Sequence, residues 1–130
     1  MIRWSEEGKI PLSFENLIIW QKSHKFMLEI YRISTCFPPR ETYSLIDQIR
    51  RAALSVPANI AEAHGRKHYL DKAKFLLNAR GSAEEVRSHL MAARDLKYMS
   101  VKEFDQLNEG YIYLIKQINS FISVLRQKSK

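Results

Sequence analysis

Arg80, Arg87 and Arg94 stand seven positions apart, a spacing that stacks them along one side of any helix that carries them. Such a ridge would be roughly 21 Å long at 1.5 Å per residue, and it would offer guanidinium forks to phosphate oxygens. Arg50, Arg51, Arg66 and Lys67 complete the set of candidate phosphate contacts. Glu84 lies four residues after Arg80 and three before Arg87, so intrahelical pairing would neutralise part of the ridge. His64 and His68 have the i, i+4 spacing of a helical metal pair. Gly65 separates them and no carboxylate completes the turn, so they read as solvated turn histidines in a basic cluster with Arg66 and Lys67. Glu84 and Glu85 are adjacent and splay apart on a helix, unlike a catalytic dyad. No glycine-rich phosphate loop, Cys/His zinc pattern or Ser-His-Asp constellation is legible. The sequence therefore predicts no catalytic residue, metal ligand or cofactor, and the chemistry it offers is electrostatic.

The overall charge agrees with that reading. Lys and Arg number 21 against 14 Asp and Glu, a net +7, with a pI near 9.6. Such a balance favours polyanionic partners, RNA or DNA first and an anionic membrane surface second. The excess is spread along the chain with some concentration: residues 67–99 carry seven basic and four acidic side chains, residues 41–66 three of each. A chain of 130 residues suits one domain able to bury a core without metal or disulfide staples. Hydrophobic content of 45% with four Gly and four Pro argues for ordered helical structure. The single cysteine, Cys36, excludes an intramolecular disulfide and reads as a small residue near a helix end in a reducing compartment. Residues 1–11 mix Arg3, Glu6, Glu7 and Lys9 without an apolar stretch of signal-peptide type, and no apolar run is long enough to span a bilayer. The expected location is the cytoplasm, away from membranes.

Four helical patterns position these residues. Residues 1–12 form an extended lead-in, broken by Gly8 and Pro11. Ser13 is a candidate cap for a first helix running to about Phe37, and that helix has two apolar stripes. One comprises Leu17, Trp20, His24, Met27, Leu28 and Tyr31; the other, nearly opposite, comprises Ile19, Phe26, Ile30, Ile33 and Phe37. A surface helix needs only one stripe, so this helix is either central or packs on a second copy of the chain. Pro38-Pro39 ends it, and Thr42 or Ser44 starts the next. The second helix follows Leu45, Ile49, Ala52, Val56, Ile60 and Ala63, with Pro57 removing a backbone donor inside the stripe and Asn59 beside it needing a buried partner. Its back, with Arg51, Ala58 and Glu62 among small residues, either allows close approach of another helix or is a plain solvated face. Gly65 turns the chain into a third helix from about His68 or Tyr69 to Tyr98, with Phe75, Ala79, Ala83, Val86, Leu90 and Ala93 inward and Lys72 and Lys97 at the ends of that face. Ser100-Val-Lys-Glu103 is a capping box. After it Phe104, Leu107, Tyr111, Leu114, Ile118, Phe121 and Leu125 recur without a miss, and fraying is expected after Arg126. Short connections between four such helices predict an all-α, antiparallel, up-down-up-down four-helix bundle over residues 13–128.

Phe14-Glu-Asn-Leu17 with Trp20-Gln21, Ile30-Tyr31, Phe37-Pro38, Gln48-Ile-Arg-Arg-Ala-Ala53, Asn59-Ile-Ala-Glu62, Gly65-Arg66, and Phe75-Leu76 with Ala79-Arg-Gly-Ser82 together resemble the bacterial family of 23S rRNA intervening-sequence proteins. The match runs from Phe14 into the fourth helix. The resemblance implies a small cytoplasmic four-helix bundle, similar in fold to the accessory protein of diversity-generating retroelements. Those relatives form homopentameric barrels, and the accessory protein binds nucleic acid and a reverse transcriptase. It thus implies a homo-oligomer, pentameric by analogy, with an RNA-related role or a protein partner. An interface in this chain would use Ile19, Phe26, Ile30, Ile33 and Phe37 of the first helix with Arg51, Ala58 and Glu62 of the second. One departure is that Ala63-His64 precedes Gly65 where the family pattern has glycine directly after Asn-Ile-Ala-Glu, so the second helix is expected to run slightly further before turning.

Overall fold

The computed structural model of the protein describes residues 3–6 and 8–130. Its helices are α1 (Ile18–Ser34), α2 (Leu45–Gly65), α3 (Tyr69–Asp95) and α4 (Val101–Lys128). Each sequence neighbour packs on the next, α1 closes against α4, and among the described residues no Cα atoms of either diagonal pair come within 8 Å. This is the antiparallel four-helix bundle.

The helix with the cleanest periodicity is also the most regularly packed. At its start the Glu103 backbone N–H donates to Ser100 Oγ at 3.1 Å and the Ser100 N–H to Glu103 Oε1 at 3.3 Å, which satisfies two orphan donors reciprocally. Every residue of the α4 seam from Phe104 to Leu125 is buried, and Ile122 widens it. Each such side chain contributes about 1.5–3 kcal/mol of apolar burial. The helix continues past Arg126 to Lys128.

Small residues bring α2 and α3 together. Ala52, Ala53 and Ala63 of α2 and Ala73, Ala79, Ala83 and Ala93 of α3 are all buried. Ser55 Oγ meets Ser82 Oγ across this seam at 2.8 Å. Asn59 finds the partners its position demands: its amide donates to Ser55 O at 2.9 Å and to Ser55 Oγ at 3.0 Å. Pro57 is buried within a helix that is continuous from Leu45 to Gly65, which includes the Ala63-His64 extension expected from the sequence. Ile46 takes the buried place expected of Leu45, which is half-buried. Likewise Leu76 and Ala73 fill the α3 floor where Phe75 was expected, because the Phe75 ring lies half-buried under the Arg66 guanidinium, 4.4 Å from its centroid.

The first helix requires correction. It starts at Ile18, after a 3-10 turn at Phe14–Asn16, and Ser13 caps neither element through its side chain, since its hydroxyl donates instead to Glu15 Oε1 at 3.0 Å. The stripe expected to form an interface is the protomer's own core: Ile19 is 1% exposed, Ile30 0%, Ile33 4% and Phe37 3%. Phe26 is half-buried against Tyr111, ring centroids 5.2 Å apart. It lies so near α4 that a Cβ on Gly110 would be 2.7 Å from its ring. The physical reason is that a bundle of four helices closes α1 against both α2 and α4, which requires a wide apolar sector rather than one narrow stripe. Of the opposite stripe, Leu17 and Met27 are buried, Trp20 and His24 stack at 4.7 Å, and Leu28 and Tyr31 are exposed.

Both ends of the bundle are tied down. At one, α3 closes with Lys97 at φ 65°, the Tyr98 N–H donating to Ala93 O and the Lys97 N–H to Arg94 O. This left-handed cap carries Tyr98 across to the α1–α2 connection, where its hydroxyl donates to Glu41 at 2.8 Å. At the other, the lead-in is a strap rather than a free tail. Trp4 packs edge-on against Phe121 at 4.2 Å and its carbonyl accepts from the Ile18 N–H. Met1, Ile2 and Glu7 of that segment lie outside the described residues.

Candidate nucleic-acid interface

The bundle sorts its charge along its axis. The antiparallel path gathers residues 3–26, 56–82 and 115–130 into the half that holds the α2–α3 turn and the end of α4. Among the described residues that half carries 13 basic and 4 acidic side chains. The other half, residues 27–55 and 83–114, carries 8 basic and 9 acidic ones. Among the described residues the whole positive excess therefore sits in one half. Much of it comes from residues 110–130, which hold Lys116, Arg126, Lys128 and Lys130 and no Asp or Glu.

The seven basic residues singled out by the sequence divide across this boundary. Arg50, Arg51, Arg87 and Arg94 belong to the near-neutral half, and each is engaged locally. Arg50 Nε donates to Ser34 Oγ at 2.8 Å and its Nη2 to Tyr31 O at 3.3 Å, so it binds α2 to the carbonyl-rich end of α1. Arg51 pairs with Asp47 at 3.0 Å. The arginine ridge is a seam between α3 and α4: Arg80 donates to Asn119 at 2.8 Å, Arg87 to Asn108 at 2.8 Å, and Arg94 lies 4.4 Å from the Phe104 ring centroid. As the ridge ascends α3 its partners descend α4, the register of antiparallel neighbours. Arg87 also pairs with Glu84 at 2.8 Å, the neutralisation expected from their spacing, and Arg94 pairs with Asp95.

Arg66, Lys67 and Arg80 belong to the basic half. Arg66 is paired with Glu62 at 2.6 Å, whereas Lys67 is exposed and has no partner among the described residues. The two helix 2 interface candidates Arg51 and Glu62 are thus exposed but ion-paired, and Ala58 is exposed.

The sequence reading passed over the residues that now look most available. Arginines take most of the carboxylate partners, whereas Lys67, Lys116 and Lys130 have no partner among the described residues, nor does Arg126. Tyr113 stands exposed on α4 at the boundary between the two halves, three residues before Lys116. Lys22 Nζ lies 4.5 Å from its ring centroid and donates to Gln117 Oε1 at 3.2 Å. The acid-free run over residues 110–130 was the signal that could have found this face.

The same half contains an apolar cavity of about 70 Å³ beneath the strap, lined by Trp4, Leu17, Ile60, Leu76 and Phe121 with Lys72 and Lys128 among its lining. That is about half the size of a cavity that admits benzene, too small for a nucleotide. Lys72 donates to Ala63 O and His64 O at the end of α2, and burial draws its ammonium below the ordinary lysine value. His64 Nε2 lies 2.8 Å from Pro11 O, and since a carbonyl only accepts, that nitrogen carries the proton. His68 precedes α3 as its N-cap residue, with no side-chain cap bond. No cluster of His, Cys, Asp or Glu among the described residues could hold a metal ion, and no helix among them is long and apolar enough to cross a membrane.

The sequence model of the 23S rRNA-intervening sequence protein family matches residues 15–120, nearly the whole bundle. The chain belongs to that family. Its fold is also that of a crystal structure, at 1.70 Å resolution, of a protein of unknown function from the S23 ribosomal protein family of Bacteroides thetaiotaomicron VPI-5482. The two are 23% identical with a TM-score of 0.73, over 81% of this chain and 98% of the other. No curated protein matches the chain. Of the segments that carry the resemblance, Gln48–Ala53 ties α2 to α1 through the Arg50 to Ser34 bond, and Ala79–Ser82 meets α2 through Ser82 and Ser55.

Proposed function

We propose that this intervening-sequence family member is a non-catalytic, cytoplasmic protein that binds nucleic acid, RNA before DNA, through the basic half of its bundle. The observation that supports this most directly is the segregation of charge, among the described residues 13 basic against 4 acidic side chains in one half and 8 against 9 in the other. A field of one sign over one end attracts a polyanion and orients it on encounter. Contacts of lysine and arginine with phosphates position a nucleic acid without reading its sequence. Because each neutralised phosphate releases counterions, affinity must fall steeply with salt. The test is titration of a structured RNA, a single-stranded RNA and a duplex DNA across a range of ionic strength. Binding that is measurable at low salt and collapses towards physiological salt is expected. Absence of binding at low salt, or affinity unchanged by salt, contradicts the reading.

Self-association is the second part of the proposal. With the inner stripe of α1 consumed by the core, the surface that supports it is the outer one, where Leu28 is 54% and Leu54 50% exposed beside Tyr31 and Ala58. The Arg50 guanidinium stacks 4.8 Å from the Tyr31 ring and joins the two helices there. The same apolar face supports the alternative that the protein is a scaffold for a different protein. Light scattering distinguishes them: a mass that is a multiple of 15.3 kDa is expected, whereas a monomer at micromolar concentration contradicts self-association.

A further inference from the structure

A shallow groove of about 580 Å³ runs along α4 on its α1 side. Tyr113, Lys116, Gln117, Ser120 and Ser123 form its wall, and Arg3 of the strap lies at its edge. From Tyr113 to Ser123 this wall extends about 15 Å at 1.5 Å per residue. Among the described residues no carboxylate lines it. Glu6, which bears on it through Arg3, is already bound to that guanidinium at 2.6 Å.

Tyr113 is 57% exposed, an unusual position for a large ring that contributes nothing to the core. It is also held in place. The Lys22 ammonium lies 4.5 Å from the ring centroid while bonded to Gln117, so one side of the ring carries a cation and the remaining surface faces solvent. Lys116, three residues on, has no partner among the described residues. The hydroxyls of Ser120 and Ser123 follow on the same wall. A fixed ring with the Lys22 ammonium against it and the unpartnered Lys116 three residues on along the same helix is an arrangement that can receive an unpaired base and its flanking phosphates. A duplex keeps its bases stacked on one another and has none to place there, whereas a single strand can turn one out.

We infer that this groove binds single-stranded nucleic acid, one base stacking on Tyr113 and the adjoining phosphates meeting Lys22 and Lys116, an inference that rests on the nucleic-acid reading above. The stacking is tolerant of base identity because every base presents a π-face. The probes are a fluorescently labelled oligouridine and a duplex of equal length, measured by anisotropy at low salt with the parent protein, Tyr113→Ala and Tyr113→Phe. Thermal melting by circular dichroism establishes that the exposed substitutions leave the fold intact. The oligouridine binds at least about tenfold more tightly than the duplex, Tyr113→Ala loses roughly tenfold of that affinity, and Tyr113→Phe keeps it. Equal affinity for the two probes overturns the inference. So does Tyr113→Ala binding like the parent, or Tyr113→Phe losing as much as Tyr113→Ala, while salt-sensitive binding to some nucleic acid would leave the broader reading standing. Failure of every probe to bind at low salt overturns both.

Discussion

Tyr111 is where a single side chain departs most from what its environment offers. Its ring is fully buried against Phe26, yet its hydroxyl has no hydrogen-bond partner among the described residues. A buried hydroxyl left unsatisfied costs about 1–3 kcal/mol, so Tyr111→Phe, which keeps the ring and removes the orphan, is expected to raise stability by about 1 kcal/mol. Urea denaturation reads this as a higher midpoint, and a lower midpoint would show that the hydroxyl has a partner. Burial also pushes the phenol above its ordinary value near 10. The folded state therefore holds a proton that the unfolded state releases, and stability present below about pH 10 is lost as pH rises further. Between pH 8 and 11 the midpoint of the parent should fall more steeply than that of Tyr111→Phe; parallel curves would mean that the phenol does not ionise on unfolding. Lys97 is a second local compromise, a non-glycine residue in the left-handed region held by the two backbone bonds that end α3.

At the scale of the elements, α1 and α2 expose Leu28, Tyr31 and Leu54 on the surface to which self-association is assigned. Leu54→Glu should reduce the assembled mass in light scattering while leaving the helical signal and melting cooperativity unchanged, because Leu54 makes no part of the core. An unchanged mass would remove Leu54 from any interface. Ile33→Glu is no substitute for this test, since Ile33 is 4% exposed and a buried charge there would unfold the protomer. The four helices and their order were legible in the amino-acid sequence because each core-facing stripe recurs at helical spacing and the Ser100 to Glu103 box marks a start chemically. What periodicity could not decide was which of two apolar stripes on α1 points inward. Both satisfy the same spacing, and the choice depends on where α2 and α4 lie. The arginine ridge concealed its seam with α4 for a related reason. Its spacing is real, but Asn108 and Asn119, which accept from Arg87 and Arg80, lie 21 and 39 residues away in sequence. A polar helix face and a polar seam between helices look alike in one dimension.

The whole molecule carries the functional reading. Windows along the chain showed a mild excess over residues 67–99, because each window mixes both ends of the bundle. Folding the chain back on itself three times separates them, and the positive charge collects where the α2–α3 turn, the strap and the acid-free end of α4 meet. If that polarity drives binding, the location of a charge must matter more than its presence. Two double variants make the comparison: Lys67→Glu with Lys116→Glu in the basic half, and Lys97→Glu with Lys102→Glu in the other. Each lowers the net charge equally, and all four lysines lack partners among the described residues. The measurement is the affinity of both variants for one single-stranded RNA at low salt. The basic-half variant is expected to lose binding almost entirely while the other stays within a few-fold of the parent; equal losses in both would contradict a localised interface and leave only an indiscriminate effect of net charge.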